Sequence, residues 1–254
     1  LCSEEEYLAD LSKDLSRFLS TPGRHVQSLL ESATEAWVKL YRRDAHSDNQ
    51  QISYYLKGAL VSLLLDLHLL AQGQGLHVLL QQLWLRFGRV GRGYSQADIE
   101  QLVGELDPQL PALLHSWLSG VDDLPLSGYL KSVGLDLLPD PAESPYSGLQ
   151  STFQEGQLTI SKVDRDSPAE LAGLSPGDEL LALDAERLRS PEQLPPLLSA
   201  GGQHELLFCR DGAVRSTAIR PSTPQPCRWS LRLDPNASEA ACHLRRSWFQ
   251  GPAR

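Results

Sequence analysis

Apolar residues recur with helical spacing through the first part of the chain and with alternating spacing through the last part. Leu8, Leu11, Leu15 and Leu19 share one face. They follow Ser3-Glu-Glu-Glu6, a capping box in which the Ser3 hydroxyl satisfies a free amide while Glu6 reaches back. A second helix is predicted over residues 24–41, with Val26, Leu30, Ala33, Trp37 and Leu40 inward. A third, over residues 53–70, is apolar almost all round, which places it at the centre of a bundle. Gly73 and Gly75 end it. Further helices are expected over residues 76–87, after the cap Ser95-Gln-Ala-Asp98, over 108–118 and over 124–133. Asp122-Asp123 reads as the cap of the last.

The period then changes. Leu158, Ile160 and Val163 predict a strand, and Ser167-Pro168-Ala169 starts a short helix in which proline sits where its missing N–H is not needed. Gly173 closes that helix, Ser175-Pro-Gly-Asp178 is a turn, and residues 179–184 form a strand. Another helix is expected from Ser190-Pro191 through Leu194, Leu197 and Leu198, stopped by Gly201-Gly202. Strands over 206–210 and 213–219 are joined at Asp211-Gly212, a hairpin signal because glycine accepts positive φ. Trp229, Leu231 and Leu233 alternate as a closing strand, and residues 240–248 have helical character.

At 254 residues and about 150 per domain, two domains are expected. Proline marks the boundary: residues 1–140 hold 5 and the remainder hold 12, with the change at residues 138–146. The reading is α+β and multidomain: an all-α bundle over 1–140, a β-rich domain over 141–225, and an extension over 226–254 that packs back on both. Methionine is absent and the first residue is Leu1, so the chain is expected to be a piece of a longer polypeptide.

Charge narrows the function. Residues 1–140 carry 11 basic and 18 acidic side chains, and residues 141–254 carry 12 and 14. Neither part has a basic field, so no nucleic-acid partner is expected. The apolar run 59–71 is broken by Asp66 and His68 and is too short for a membrane span. Cys2, Cys209, Cys227 and Cys242 lack the short spacing of a zinc knuckle or redox motif. They read as thiols in a reducing compartment, cytoplasmic rather than exported, with a disulfide among the last three left open. With 18 arginines against 5 lysines, the composition is that of a GC-rich, bacterial genome. No Gly-x-Ser-x-Gly elbow is present. The seven histidines form no His-Glu-x-x-His, and each reads as a surface or packing residue.

The order strand, short helix, strand, helix, hairpin, together with Ser-Pro-Ala169, Ala-Gly-Leu174 and Gly-Asp178, resembles the PDZ domain of bacterial proteases. In such domains an extended peptide pairs with a sheet edge while backbone amides hold its terminal carboxylate. The resemblance implies a carboxylate loop at Tyr146-Ser147-Gly148-Leu149 and a facing wall of Leu194, Leu197 and Leu198. The other reading of these leucines is core. Ala185 stands where relatives have glycine.

The third helix opens Ile52-Ser-Tyr-Tyr-Leu-Lys-Gly58, after Glu35-Ala-Trp37 and before Gly93-Tyr94. With a PDZ domain behind it, this resembles the glycyl aminopeptidase family of zinc metallopeptidases, over nearly the whole chain. The resemblance implies that residues 1–140 are the late part of a gluzincin-type catalytic domain acting on peptides or proteins with small N-terminal residues. It implies that Tyr55 donates a hydrogen bond to the oxyanion of the tetrahedral intermediate. Lys57 and Gly58 would be structural, the glycine for close helix packing. Zinc would belong to the intact enzyme, held by ligands upstream of residue 1, with no metal site in this piece and no activity of its own. Without the resemblance, Tyr54 and Tyr55 are two aromatics at a helix start. Two alternatives stay open: a non-catalytic PDZ peptide-binding or scaffold protein, and a PDZ fold that only braces the helices.

Overall fold

The computed structural model describes residues 2–250. Side-chain caps set most helix starts. Ser3 and Glu6 form the expected capping box at the head of α1 (Glu4–Leu19). Ser28 and Glu31 form another at α2 (Leu29–Thr34), and Ser95 and Asp98 a third at α6 (Gln96–Leu106). Between these lie the one-turn α3 (Ser47–Gln50), the long α4 (Tyr54–Leu70), and α5 (Leu76–Leu83), which runs on into a π turn at Trp84–Gly88. Then come α7 (Leu110–Ser119) and α8 (Leu126–Ser132).

Helix α4 is central because it has almost no polar face. Leu60, Leu64, Leu67 and Leu69 are buried to within 1% of full burial, each contributing roughly 2 kcal/mol of apolar transfer. Leu15 and Phe18 of α1, Leu79 of α5, Val103 of α6, Leu110 and Trp117 of α7 and Leu130 of α8 complete one hydrophobic core.

The single helix expected over 24–41 is three pieces. Residues Pro22–His25 make a 3₁₀ turn, α2 follows, and residues 35–42 wind through successive turns. The cause is the Ser28–Glu31 capping box, which restarts the helix and rotates its phase. Ser32 and Ala36 therefore face inward, whereas Ala33, Val26 and Trp37 are exposed, Trp37 at 81%. The Asp122-Asp123 pair is also not a cap, since α8 begins after Pro125 and Asp123 accepts from Arg24 Nε at 2.9 Å.

A second core belongs to an antiparallel sheet. Its strands are β2 (Leu149–Gln154), β3 (Gln157–Val163), β4 (Glu179–Leu183), β5 (Glu186–Arg187), β6 (His204–Arg210) and β7 (Ala213–Ile219). The order is β2-β3-β4-β6-β7, with β5 paired to β4. Leu158, Ile160, Leu180, Leu206 and Phe208 fill it under the short helices α9 (Pro168–Leu171) and α10 (Leu194–Leu197). Asp178 is buried and paired with Arg210, its two carboxylate oxygens each 2.6 Å from the guanidinium. That bidentate geometry explains the aspartate of the Gly-Asp turn.

The segment where proline becomes frequent is partly a strand. Leu138 and Pro139 belong to β1 (Leu135–Pro139), which pairs antiparallel with β8 (Trp229–Leu233), Leu137 opposite Leu231. Ser12 and Ser16, one turn apart on α1, hydrogen-bond to the other edge of β8: Ser16 Oγ receives the Trp229 amide at 2.8 Å and Ser12 Oγ the Leu231 amide at 3.0 Å. Helix α11 (Glu239–Gln250) returns to the helical core, where Trp248 Nε1 donates to Asp66 Oδ2 at 2.9 Å. All four cysteines are free.

Candidate functional site

Tyr55 lies in the first turn of α4, capped by Ser53, whose Oγ accepts from the Leu56 amide at 3.4 Å. The first amides of a helix have no partner within it, and the end of its dipole favours negative charge. Tyr55 is 63% exposed and faces solvent. It stacks on Tyr54, ring centroids 4.1 Å apart, and its hydroxyl comes within 3.4 Å of the Tyr41 hydroxyl. Trp37 stacks in turn on Tyr41 at 5.1 Å. The Tyr41 hydroxyl, and then that of Tyr54, hold the Tyr55 phenol below the ordinary tyrosine range. The hydroxyl of Tyr55, and then that of Tyr41, push Tyr54 the other way.

Lys57 faces inward and is 1% exposed, with Nζ donating to the Gly120 carbonyl at 2.8 Å. Burial lowers its pKa against the opposing pull of Asp122, Asp123 and Glu31. The ammonium ties the head of α4 to the loop after α7, a structural role. Gly58 is not a close-packing glycine, because a Cβ there would meet only Leu29 Cδ1, at 3.8 Å.

The loop Tyr146–Leu149, where the resemblance places a carboxylate site, is held from both sides. The Ser147 carbonyl accepts from the Ala169 amide at 2.9 Å and the Gly148 carbonyl from the Asp164 amide at 2.7 Å. The amides of Ser147 and Gly148 have no protein acceptor among the described residues. Gly148 has φ +72°, and a Cβ there would lie 2.1 Å from Ser167 Cβ. Beyond the loop a cleft of about 810 Å³ runs between β2 and α10, lined by Leu149, Ser151, Pro191, Leu194 and Leu198.

The cleft wall is shorter than expected. Pro191–Gln193 is a 3₁₀ turn, α10 is one turn, and Leu198 is already extended, because Pro195 and Pro196 follow at once. Leu194 and Leu198 are core residues with an edge on the cleft, whereas Leu197 is half-buried against the core and off the lining. Tyr146 closes one end and donates to Asp164 Oδ2 at 3.0 Å, its phenol pushed up by burial and then by that carboxylate. A larger cleft, about 1130 Å³, separates the end of α1 from β3 and lies away from Tyr55. Its cations Arg24, Lys162 and Arg165 are already paired with Asp123, Asp164 and Asp166.

The residues present do not fit a zinc ion. No group of three or more His, Cys, Asp or Glu is placed to hold a metal among the described residues. His68 is committed elsewhere, Nδ1 to the Tyr129 hydroxyl and Nε2 to Asp107 Oδ2, each at 2.9 Å. That contact, with the Gln109 amide and Gln72, lowers the Asp107 carboxyl to about 2.

His204 was not singled out in the sequence, yet its Nδ1 lies 2.6 Å from Asp184 Oδ2 and its Nε2 3.0 Å from Ser199 Oγ. The Ser199 amide also donates to that Nε2, at 3.0 Å. One lone pair thus serves the backbone, and the set clamps the loop before β6. No signal in the sequence joins these three, because they meet only when β4 and β6 pair.

The chain is thus a helical bundle with an exposed tyrosine at the head of its central helix, followed by a PDZ-like sheet with a cleft beside α10. Comparison with known proteins matches two stretches of the chain. Residues 1–61 match the M61 glycyl aminopeptidase family, and residues 159–210 match the PDZ domain. A Pasteurella multocida protein whose name marks it as a candidate zinc metalloprotease is 31% identical over 91 residues, 36% of this chain and 20% of that one. A crystal structure of an aminopeptidase N family protein from Idiomarina loihiensis superposes with a TM-score of 0.85 at 23% identity, over 97% of this chain and 44% of that one. The chain thus carries an M61 glycyl aminopeptidase region and a PDZ domain in the fold of that structure, and it spans less than half of either relative.

Proposed function

We propose that this chain is the helical and PDZ portion of a zinc aminopeptidase of the glycyl type, which removes small N-terminal residues from peptides. Residues 1–140 would be the late part of the catalytic domain, 141–225 the PDZ domain, and 226–254 an extension whose strand and helix pack on the helical part. The zinc ligands and general base would lie outside these residues, upstream of residue 1. The observation that carries the reading is Tyr55: a solvent-facing phenol at the head of the central helix, within the residues that match the M61 family.

Tyr55 donates its hydroxyl proton as a hydrogen bond to the carbonyl oxygen as that oxygen gains negative charge. A donor aimed at developing charge is worth on the order of 3 kcal/mol of barrier. The helix end and the lowered phenol pKa both favour this donation. The test is Tyr55→Phe in a polypeptide joining these residues to a His-Glu-x-x-His segment, assayed on a glycyl anilide. Turnover is expected to fall about 100-fold with zinc content unchanged, and full turnover would refute the role.

The free amides of Ser147 and Gly148 favour a second activity of the same chain. They receive the carboxylate of a peptide C-terminus while its last residues pair with β2, facing Leu149, Leu194 and Leu198. This groove either steers substrate or works alone as a binding module. Calorimetric titration of the 254-residue chain with C-terminal peptide pools tests it, and binding that survives amidation of the peptide ends would refute it.

A further inference from the structure

We propose that Tyr41 is a positioning residue for Tyr55: its hydroxyl donates to the Tyr55 oxygen and so leaves the single Tyr55 proton directed at the ligand. The inference rests on the reading of Tyr55 as the oxyanion donor and extends it to a residue outside the Tyr-Tyr-x-Lys-Gly motif.

A phenol has one proton. If Tyr55 gave it to Tyr41, nothing would remain for an oxyanion. The reverse direction satisfies the Tyr55 oxygen and strengthens its O–H as a donor, because hydrogen bonds in a chain polarise one another. The geometry suits it. Ala36 is buried and anchors the turn after α2, and its carbonyl accepts the Tyr41 amide at 3.2 Å. Trp37 lies over the Tyr41 ring at 5.1 Å and an interplanar angle of 34°. On the other side Tyr54 lies against Tyr55 at 4.1 Å. The two hydroxyls therefore meet between two stacked pairs.

Their 3.4 Å separation is long for two hydroxyls. That slack is usual before a ligand arrives and tightens when charge forms. The titratable groups facing the Tyr55 hydroxyl are the phenols of Tyr41 and Tyr54. The Lys57 ammonium points into the core at Gly120, and Lys39 is paired with Glu35 at 2.6 Å. The lowered Tyr55 phenol agrees with a donor at its oxygen.

Tyr41→Phe keeps the ring against Trp37 and removes only the hydroxyl. In the 254-residue chain labelled with ring-¹³C tyrosine, Tyr55 is expected to ionise below free tyrosine and to move up in Tyr41→Phe. An unchanged Tyr55 titration overturns the proposal. In an enzyme carrying the zinc motif, Tyr41→Phe is expected to lower kcat about five-fold, the scale of one neutral hydrogen bond. KM should stay fixed and the alkaline limb of the pH profile should move up. Unaltered kcat and pH profile overturn the positioning role even where Tyr55→Phe is inactive. Full turnover in Tyr55→Phe instead removes the oxyanion reading beneath it, and the titration result is independent of that failure.

Discussion

Asn49 holds the end of strand β3 to the helical part through Val163: its Nδ2 donates to the Val163 carbonyl at 2.7 Å, and its Oδ1 accepts the Arg165 amide at 2.9 Å. Asn49 is buried, and so is its bond to the Val163 carbonyl, whereas the bond from the Arg165 amide is part-buried. Asn49→Leu is expected to destabilise this joint by about 1–3 kcal/mol, the range for stranded buried polar groups. Hydrogen exchange at Arg165 would read it directly, since loss of the acceptor should speed exchange there while the β6–β7 amides stay protected. Unchanged exchange would show that the joint is held by other contacts.

Lys57 gives the helical part a pH dependence of definite sign. Its pKa in the folded chain lies below the ordinary lysine value because burial disfavours the charge. Between the folded value and about 10.4 the unfolded chain binds the extra proton, so stability rises with pH across that window. Lys57→Met is expected to flatten this rise in urea titrations run from neutral pH upward. A slope that persists in the variant would place its origin elsewhere.

Two small substitutions should stabilise the fold. Ala185 has φ +67° and Asp184 φ +49°, a two-residue turn between β4 and β5 of the kind that favours glycine at its second position. Ala185→Gly is expected to add about 1 kcal/mol by relieving the left-handed alanine. Gly58→Ala should also add about 1 kcal/mol, through helix propensity, because the new methyl finds only Leu29 at ordinary contact distance. Denaturant midpoints would measure both, and a lower midpoint for Gly58→Ala would show that the glycine is needed for packing after all.

The sequence made legible what local chemistry decides. Ser3, Ser95 and Ser167 were readable as caps, and Asp211-Gly212 as a hairpin turn, because each acts within four residues. Tyr55 and the Ser147–Leu149 loop came from resemblance, and their neighbours did not. Tyr41 was hidden because the helix expected over 24–41 put Trp37 inward, while the Ser28–Glu31 box turns that face outward. Strand β1 was missed because its partner β8 lies some 90 residues on, and proline at 139 and 141 made the segment look like linker. Asn49 carried no pattern, since its value lies in two backbone groups of a different unit.

Gly148 is the position where the loop reading is most exposed to experiment. Its φ of +72° disfavours any side chain, and a Cβ would sit 2.1 Å from Ser167 Cβ, at the cap of α9. Gly148→Ala must therefore move either the loop or the cap, at a strain of roughly 1–3 kcal/mol. The amides of Ser147 and Gly148 would no longer converge, so peptide binding should be lost. Ser151→Ala, on the cleft lining but away from the amides, should leave binding within about two-fold, as expected for a residue outside the anchoring set. Fluorescence anisotropy with a labelled C-terminal peptide distinguishes the two. A Gly148→Ala chain that binds as well as the parent would mean that the carboxylate is not held at this loop, and the groove between β2 and α10 would then need another anchor.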